Sequence, residues 1–317
     1  MPETQPEDAV SIRPVKQLAH AQPTLEGAGV HLHRAFGFGK TDDFDPFLLF
    51  DDFRNDVPEK YLAGFPWHPH RGIETITYVL SGTVAHGDSL GNRGAIEAGD
   101  VQWMTAGSGI IHQEMPKGDA SGRMHGFQLW ANLPASQKMT APRYQEIQSA
   151  DIPEVIDDDG TRIRVICGNI WGASGPVDGI AADPHYLDIS VPPGRLKSVP
   201  VEVTRHAFAY VFAGSGRFRS ASDPLAAPTE IVGPEGLGEG PVTRADLAEN
   251  RTLVLFDRGD EVTVQAGDEG IRFLLVSGKP LQEPVAWHGP IVMNTRAELR
   301  QAMAELRDGT FLREGGS

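Results

Sequence analysis

A single cysteine, Cys167, stands among 317 residues, so the chain forms no disulfide within itself and a fold stapled by disulfides is excluded. Basic charge is also scarce: 28 lysines and arginines face 43 acids, a net charge of −15. A surface that acidic repels phosphate backbones, and no lysine or arginine cluster makes a local exception, so direct nucleic-acid binding is not expected. No apolar run reaches the length of a membrane span, and the stretch from Met1 to Val15 is polar and acidic without a signal-like apolar core. The expectation is a soluble, cytoplasmic protein with no membrane partner. Helix signals are few as well.

What the chain has instead is punctuation. Its 36 glycines and 24 prolines break up short β-branched and aromatic runs at close spacing, the pattern of an all-β sandwich or barrel. Strands are expected over 73–80, from 101, and over 127–133, 163–167, 185–191, 207–212, 253–256 and 271–277. The length and the 40% hydrophobic content suit two modest domains, 1–150 and 151–317, with a linker across 134–159 that includes the acid run Asp157-Asp158-Asp159. The halves look like copies. Tyr78-Val79-Leu80-Ser81-Gly82 matches Tyr210-Val211-Phe212-Ala213-Gly214 at an offset of 132, and Gly99-Asp100 with Ala106-Gly107 matches Gly259-Asp260 with Ala266-Gly267 at 160. The difference of 28 is assigned to an insertion near 220–248. A C-terminal helix is expected where Thr295 and Glu298 form a capping box, Leu299, Met303 and Leu306 an apolar stripe, and Gly309 a stop. Thr243 with Asp246 suggests a shorter one.

Two pairs of metal-ligand type stand out: His68-Pro69-His70 and, 42 residues past His70, His112-Gln113-Glu114. Residues two apart on a strand point the same way, so each pair can grip one ion. One His-x-His is weak support, because such pairs are usually surface or hydrogen-bonded core residues. The second pair outweighs that reading. Pro69 keeps His68 extended, as an edge strand tolerates, and the glycines of Thr105-Ala106-Gly107-Ser108-Gly109 allow a sharp turn ahead of His112. Under the two offsets the ligands map onto Pro200, Glu202, Arg272 and Leu274, so the second half is expected to lack the site. Three imidazoles and a carboxylate leave one or two coordination positions open, unlike a structural zinc knot. The set suits Fe(II), Zn, Cu, Ni, Mn or Co alike.

Around these pairs the sequence resembles a known family. His68-Pro69-His70-Arg71-Gly72-Ile73-Glu74-Thr75, Gly99-Asp100-Val101-Gln102-Trp103-Met104-Thr105-Ala106-Gly107 and Ile111-His112-Gln113-Glu114-Met115-Pro116 are similar to motifs of the pirins, which are bicupins. So are Asp45-Pro46-Phe47-Leu48-Leu49, Phe127-Gln128-Leu129-Trp130-Ala131-Asn132-Leu133 and Gly289-Pro290-Ile291-Val292-Met293-Asn294-Thr295. The resemblance implies two jelly-roll-like cupin barrels in tandem, face to face, the first holding one iron through His68, His70, His112 and Glu114 and the second without metal. It implies a quercetin 2,3-dioxygenase-like oxidoreductase that cleaves a flavonol with O2 and releases CO. Its substrate would be a small aromatic or phenolic molecule, and Glu114 its proton acceptor. A different class of function is implied too: an iron- and redox-responsive regulator that binds a transcription factor or a metabolic enzyme.

Lesser candidates surround the ligands. Glu74, an even number of residues from His70, could share its strand face as an acceptor behind the metal. His86 and His125 lie on or near expected strands. Phe53, Trp67, Trp103 and Phe127 could wall a cavity, though aromatics in a small barrel are more often core. His31, His33, His185, His206 and His288 have no partner at ligand spacing.

Overall fold

The computed structural model describes residues 10–178, 180–219 and 247–313. The strands of the first half are Val15–His20 (β1), Gln22–Glu26 (β2), Val30–Phe36 (β3), Phe47–Asp52 (β4), Phe65–His70 (β5), Ile73–Ser81 (β6), Thr83–Asp88 (β7), Arg93–Ile96 (β8), Val101–Thr105 (β9), Ile110–Lys117 (β10), His125–Asn132 (β11) and Arg143–Ile147 (β12). Those of the second are Glu154–Ile156 (β13), Arg162–Cys167 (β14), Asn169–Ile170 (β15), Ala173–Ser174 (β16), His185–Val191 (β17), Leu196–Pro200 (β18), His206–Phe218 (β19), Ala248–Glu249 (β20), Thr252–Phe256 (β21), Glu261–Gly278 (β22), Ala286–His288 (β23) and Ile291–Met293 (β24). Among the described residues, helix is confined to Thr41–Phe44 (α1), Arg296–Asp308 (α2) and single 3-10 turns. The described residues form two β-domains, built mostly of strands.

In the first barrel a sheet ordered β12, β9, β6, β11, β4, β3, β2 faces a smaller one ordered β5, β10, β7, β8. In the second, β1, β21, β19, β22, β17, β14 and β13 follow one another, with β18 added on β22 and β20 on β19. Strand alternation then sorts the side chains. On β6, Ile76 and Tyr78 enter a core shared with Phe208, Tyr210, Leu253 and Leu274 of the second half, while Thr77 and Val79 turn into the first barrel. Burying aromatics such as Phe50, Phe127 and Phe208 in that shared layer contributes about 1.5–3 kcal/mol each.

Two polar clusters clamp the layer, each made by both halves. The Tyr78 hydroxyl donates to Asp188 at 2.7 Å, and Arg272 holds the same carboxylate at 2.9 and 2.6 Å. Reciprocally, Tyr210 donates to Asp52 at 2.8 Å, with Arg54 on that carboxylate at 2.8 and 2.6 Å. The ends of the chain also cross over: β1 pairs with β21, and the Val292 amide donates to the Arg71 carbonyl beside β5.

Most expected strands are present with shifted ends, and 271–277 proves to be the second part of the long β22. The expected linker is not structureless. It contributes β12 to the first sheet and β13 to the second, and the chain crosses between Ile147 and Glu154. The C-terminal helix has its capping box at Thr295 and Glu298 and a left-handed Gly309. Thr243 and Asp246 lie outside the described residues. Cys167 is buried, its thiol pushed up to about 12 by burial. Among the described residues no helix is long and apolar enough to cross a membrane.

Candidate metal centre

The two histidine-bearing segments are neighbouring strands. β5 runs antiparallel to β10, with His70 opposite Ile110 and His68 opposite His112. β5 is the edge of its sheet, which is why Pro69 costs no ladder hydrogen bond. Gly72 (φ 77°) lets the chain leave β5 and enter the opposite sheet as β6. Gly107 (φ 49°) makes the tight loop ahead of β10.

The donor atoms of His68, His70 and His112 all lie within 4.8 Å of one another. His68 Nδ1 is 2.8 Å from the Pro66 carbonyl and His70 Nδ1 is 3.2 Å from that of Pro290. A carbonyl only accepts, so each Nδ1 carries the proton and each Nε2 keeps its lone pair. His112 Nε2 lies 2.9 Å from His68 Nε2. Burial holds all three imidazoles below the usual histidine range, His70 and His112 well below, so they are neutral near pH 7. Converging neutral lone pairs, two with the far nitrogen anchored on a carbonyl, fit a cation of borderline softness.

Glu114 follows His112 by two residues on β10, past a register shift, and is buried. Burial pushes its carboxyl up to about 7, against the pull of the Thr77 hydroxyl, which is 3.0 Å from Oε1. Glu114, His68 and His70 line one cavity of about 510 Å³. Its walls are mainly apolar: Leu32, Leu49, Phe53, Phe65, Trp67, Trp130 and Trp287. Polar groups are few and paired. Arg34 grips Asp51 at 2.8 and 2.7 Å, and burial pushes Asp51 up to about 6 despite that partner.

The lesser candidates sort by strand face. Phe53 and Trp67 line the cavity, whereas Trp103 and Phe127 belong to the core between the halves. Glu74 is not behind the ligands. The turn at Gly72 moves it onto the other sheet, where it accepts from Thr105 at 2.8 Å, so counting residues from His70 did not carry its orientation. His86 is buried opposite Glu114, its ring 5.5 Å from that of His112 and stacked on Tyr144. His125 sits outside, 2.6 Å from Asp56. Sequence reasoning missed Thr77, Gln128 and the Arg34–Asp51 pair, which show only in cross-strand register. It also missed the Pro290 carbonyl, which comes from the far end of the chain.

Register corrects the comparison of the halves. Tyr78 pairs with Val101 and Phe127, and Tyr210 with Leu253 and Leu274. Beyond the Gly82 and Gly214 turns, His86 opposes Glu114 and Phe218 opposes Val264. Val262 in turn opposes Val199, and Val201 bonds to Asp260. The counterparts of His68, His70, His112 and Glu114 are therefore Val199, Val201, Val262 and Val264, all buried, and not Pro200, Glu202, Arg272 and Leu274. The Gly259-Asp260 turn leads into the equivalent of β10, not of β9, which misplaced the match at 160. The second half thus carries four valines where the first carries its ligand-type residues.

Residues 29–131 match the family model described as Pirin, and residues 186–312 the one described as Pirin C-terminal cupin domain. A pirin-like protein of Caulobacter vibrioides is 43% identical over 301 residues, covering 95% of this chain and 99% of that protein. A Pseudomonas aeruginosa protein, provisionally named a quercetin 2,3-dioxygenase, is 40% identical over 303 residues, covering 94% of this chain and 98% of its own. The crystal structure of quercetin 2,3-dioxygenase from Acinetobacter baumannii superposes with a TM-score of 0.80 at 29% identity, covering 95% of this chain and 99% of that one.

Proposed function

The chain belongs to the pirin family, and on that premise we propose that it is a cytoplasmic iron-dependent dioxygenase that opens the heterocycle of a flavonol such as quercetin with O2 and releases CO. The observation that carries this reading is the cluster of three neutral imidazoles at an apolar-walled cavity of about 510 Å³, a size suited to one small polycyclic ligand. When bound, the ion supplies a Lewis-acid and redox centre for a phenolic hydroxyl and O2. His68, His70 and His112 would hold it, and Glu114, which is not one of that group of three but lines the same cavity as His68 and His70, would be the fourth ligand. Glu114 is also the candidate to take the proton of that hydroxyl, since it faces the same cavity. Phe65, Trp67 and Trp287 offer flat apolar faces to the rings and keep water from the reacting atoms.

The test pairs metal analysis with oxygen uptake and CO detection on quercetin. Wild type should bind one equivalent of iron and turn over. His70→Ala should lose most of the metal and the activity, and Glu114→Ala should lose activity by about 10²-fold or more. Full metal content in both variants would overturn the site. Iron-loaded protein that consumes no oxygen with any flavonol would overturn the activity and leave the redox-responsive binding protein as the better reading.

A further inference from the structure

The large sheet of the first barrel carries a cross-strand row of three polar side chains on the face toward Glu114. Thr77 on β6 stands directly opposite Gln102 on β9 and Gln128 on β11. Thr77 and Gln102 are fully buried. Thr77 Oγ1 lies 3.0 Å from Glu114 Oε1 and 2.8 Å from Gln128 Oε1. A hydroxyl has one proton to give, so it cannot donate to both oxygens. With the Gln128 amide turned to present its NH2, the chain gains a single direction: Gln128 donates to Thr77, and Thr77 donates to Glu114. Glu114 then sits at the accepting end, which suits a carboxylate. Gln102 stands opposite Thr77 on the neighbouring strand, and among the described residues neither of its amide atoms has a partner.

The second barrel shows that the fold does not require this row. The same registers place Ala209, Val254 and Leu275 at the positions of Thr77, Gln102 and Gln128, all buried in an apolar core. Val264 stands there at the position of Glu114. Buried polar groups cost free energy unless partnered, so a row kept polar only beside the histidines has a purpose tied to them.

We infer that Thr77, braced by Gln128 and opposite Gln102, is the positioning residue for Glu114: it engages Oε1 and leaves Oε2 for the ion. This rests on the proposed metal site and concerns only the orientation of its carboxylate. The test strips the protein of metal and titrates it with cobalt(II), reading affinity by competition and the visible absorption bands, which respond to ligand number and type. Thr77→Val, near in shape but without the hydroxyl, should bind cobalt about ten-fold more weakly with displaced bands, and Thr77→Ser should restore both. Folded Thr77→Val with wild-type affinity and bands would overturn the inference. If Thr77→Val does not fold, Gln128→Leu decides on the same criteria: weakened binding and displaced bands support the role, and wild-type behaviour overturns it. His70→Ala separates the two levels. Should it bind cobalt like wild type, the site itself falls and the inference with it, whereas loss in His70→Ala beside wild-type behaviour in Thr77→Val removes only the role of Thr77.

Discussion

Side chains of one type do different work here according to the face they occupy. Glu74 and Glu114 are both buried carboxyls pushed up to about 7, yet Glu114 lines the cavity while Glu74 accepts from Thr105 and leaves Oε2 without a partner among the described residues. The Glu74 carboxyl is therefore a stability term. Below its ordinary 4.5 it is protonated in both the folded and the unfolded chain. Between 4.5 and about 7 only the unfolded chain ionises, so stability falls as pH rises through that window and levels off above it. Glu74→Gln should accordingly raise stability at pH 8 by on the order of 1–3 kcal/mol and change little at pH 4. Urea unfolding at the two pH values checks this, and an equal effect at both would refute it. Both carboxyls are plain in the sequence, and only Glu114 carried a ligand spacing that announced its place.

At the scale of the element, the site depends on two short strands meeting in register. Expecting His68 and His70 on one face, and His112 with Glu114 on another, needed only the two-residue period of a strand. How the strands are delivered needed the turns. At Gly72 an added Cβ would overlap the Val292 carbonyl, and the left-handed φ of 77° strains any other residue. The buried Lys138 ammonium ties this corner by bonding the carbonyls of Gly72 and Val292, at 2.7 and 3.0 Å. Gly72→Ala should cost roughly 2–4 kcal/mol and weaken metal binding through His70. Gly91, at φ 92° with open space around it, is the control: alanine there pays for strain alone, about 1 kcal/mol. Thermal unfolding of both metal-free variants measures the difference, and equal losses would show that the carbonyl contact does not matter.

At the scale of the molecule, two barrels share one core and two reciprocal clamps. Asp52 and Asp188 are buried and each holds an arginine and a tyrosine, the tyrosine coming from the other barrel. Asp52→Ala strands Arg54 and Tyr210, and Asp188→Ala strands Arg272 and Tyr78, so each should cost roughly 3–5 kcal/mol in urea unfolding. A loss under about 1 kcal/mol would mean that water takes the place of the carboxylate. The C-terminal segment reaches back in the same way. Buried Arg71 bonds the Ser108 carbonyl at 2.6 Å, Glu305 on α2 at 2.6 Å and the Phe311 carbonyl at 2.8 Å, joining the end of the chain to the loop ahead of His112. The sequence by itself determined the β class, the duplication, the capped final helix and the four ligand-type residues, because each is written in local spacing: a two-residue period, a repeated Tyr-x-x-x-Gly, a capping box. Only the tertiary structure decided which valines stand at the positions of the ligand-type residues, where Glu74 points, and that Thr77 contacts both Glu114 and Gln128 while the Pro290 carbonyl lies against His70. Those facts depend on register between strands far apart in the chain, where a shift of one residue turns a side chain to the opposite face and no local pattern records the choice.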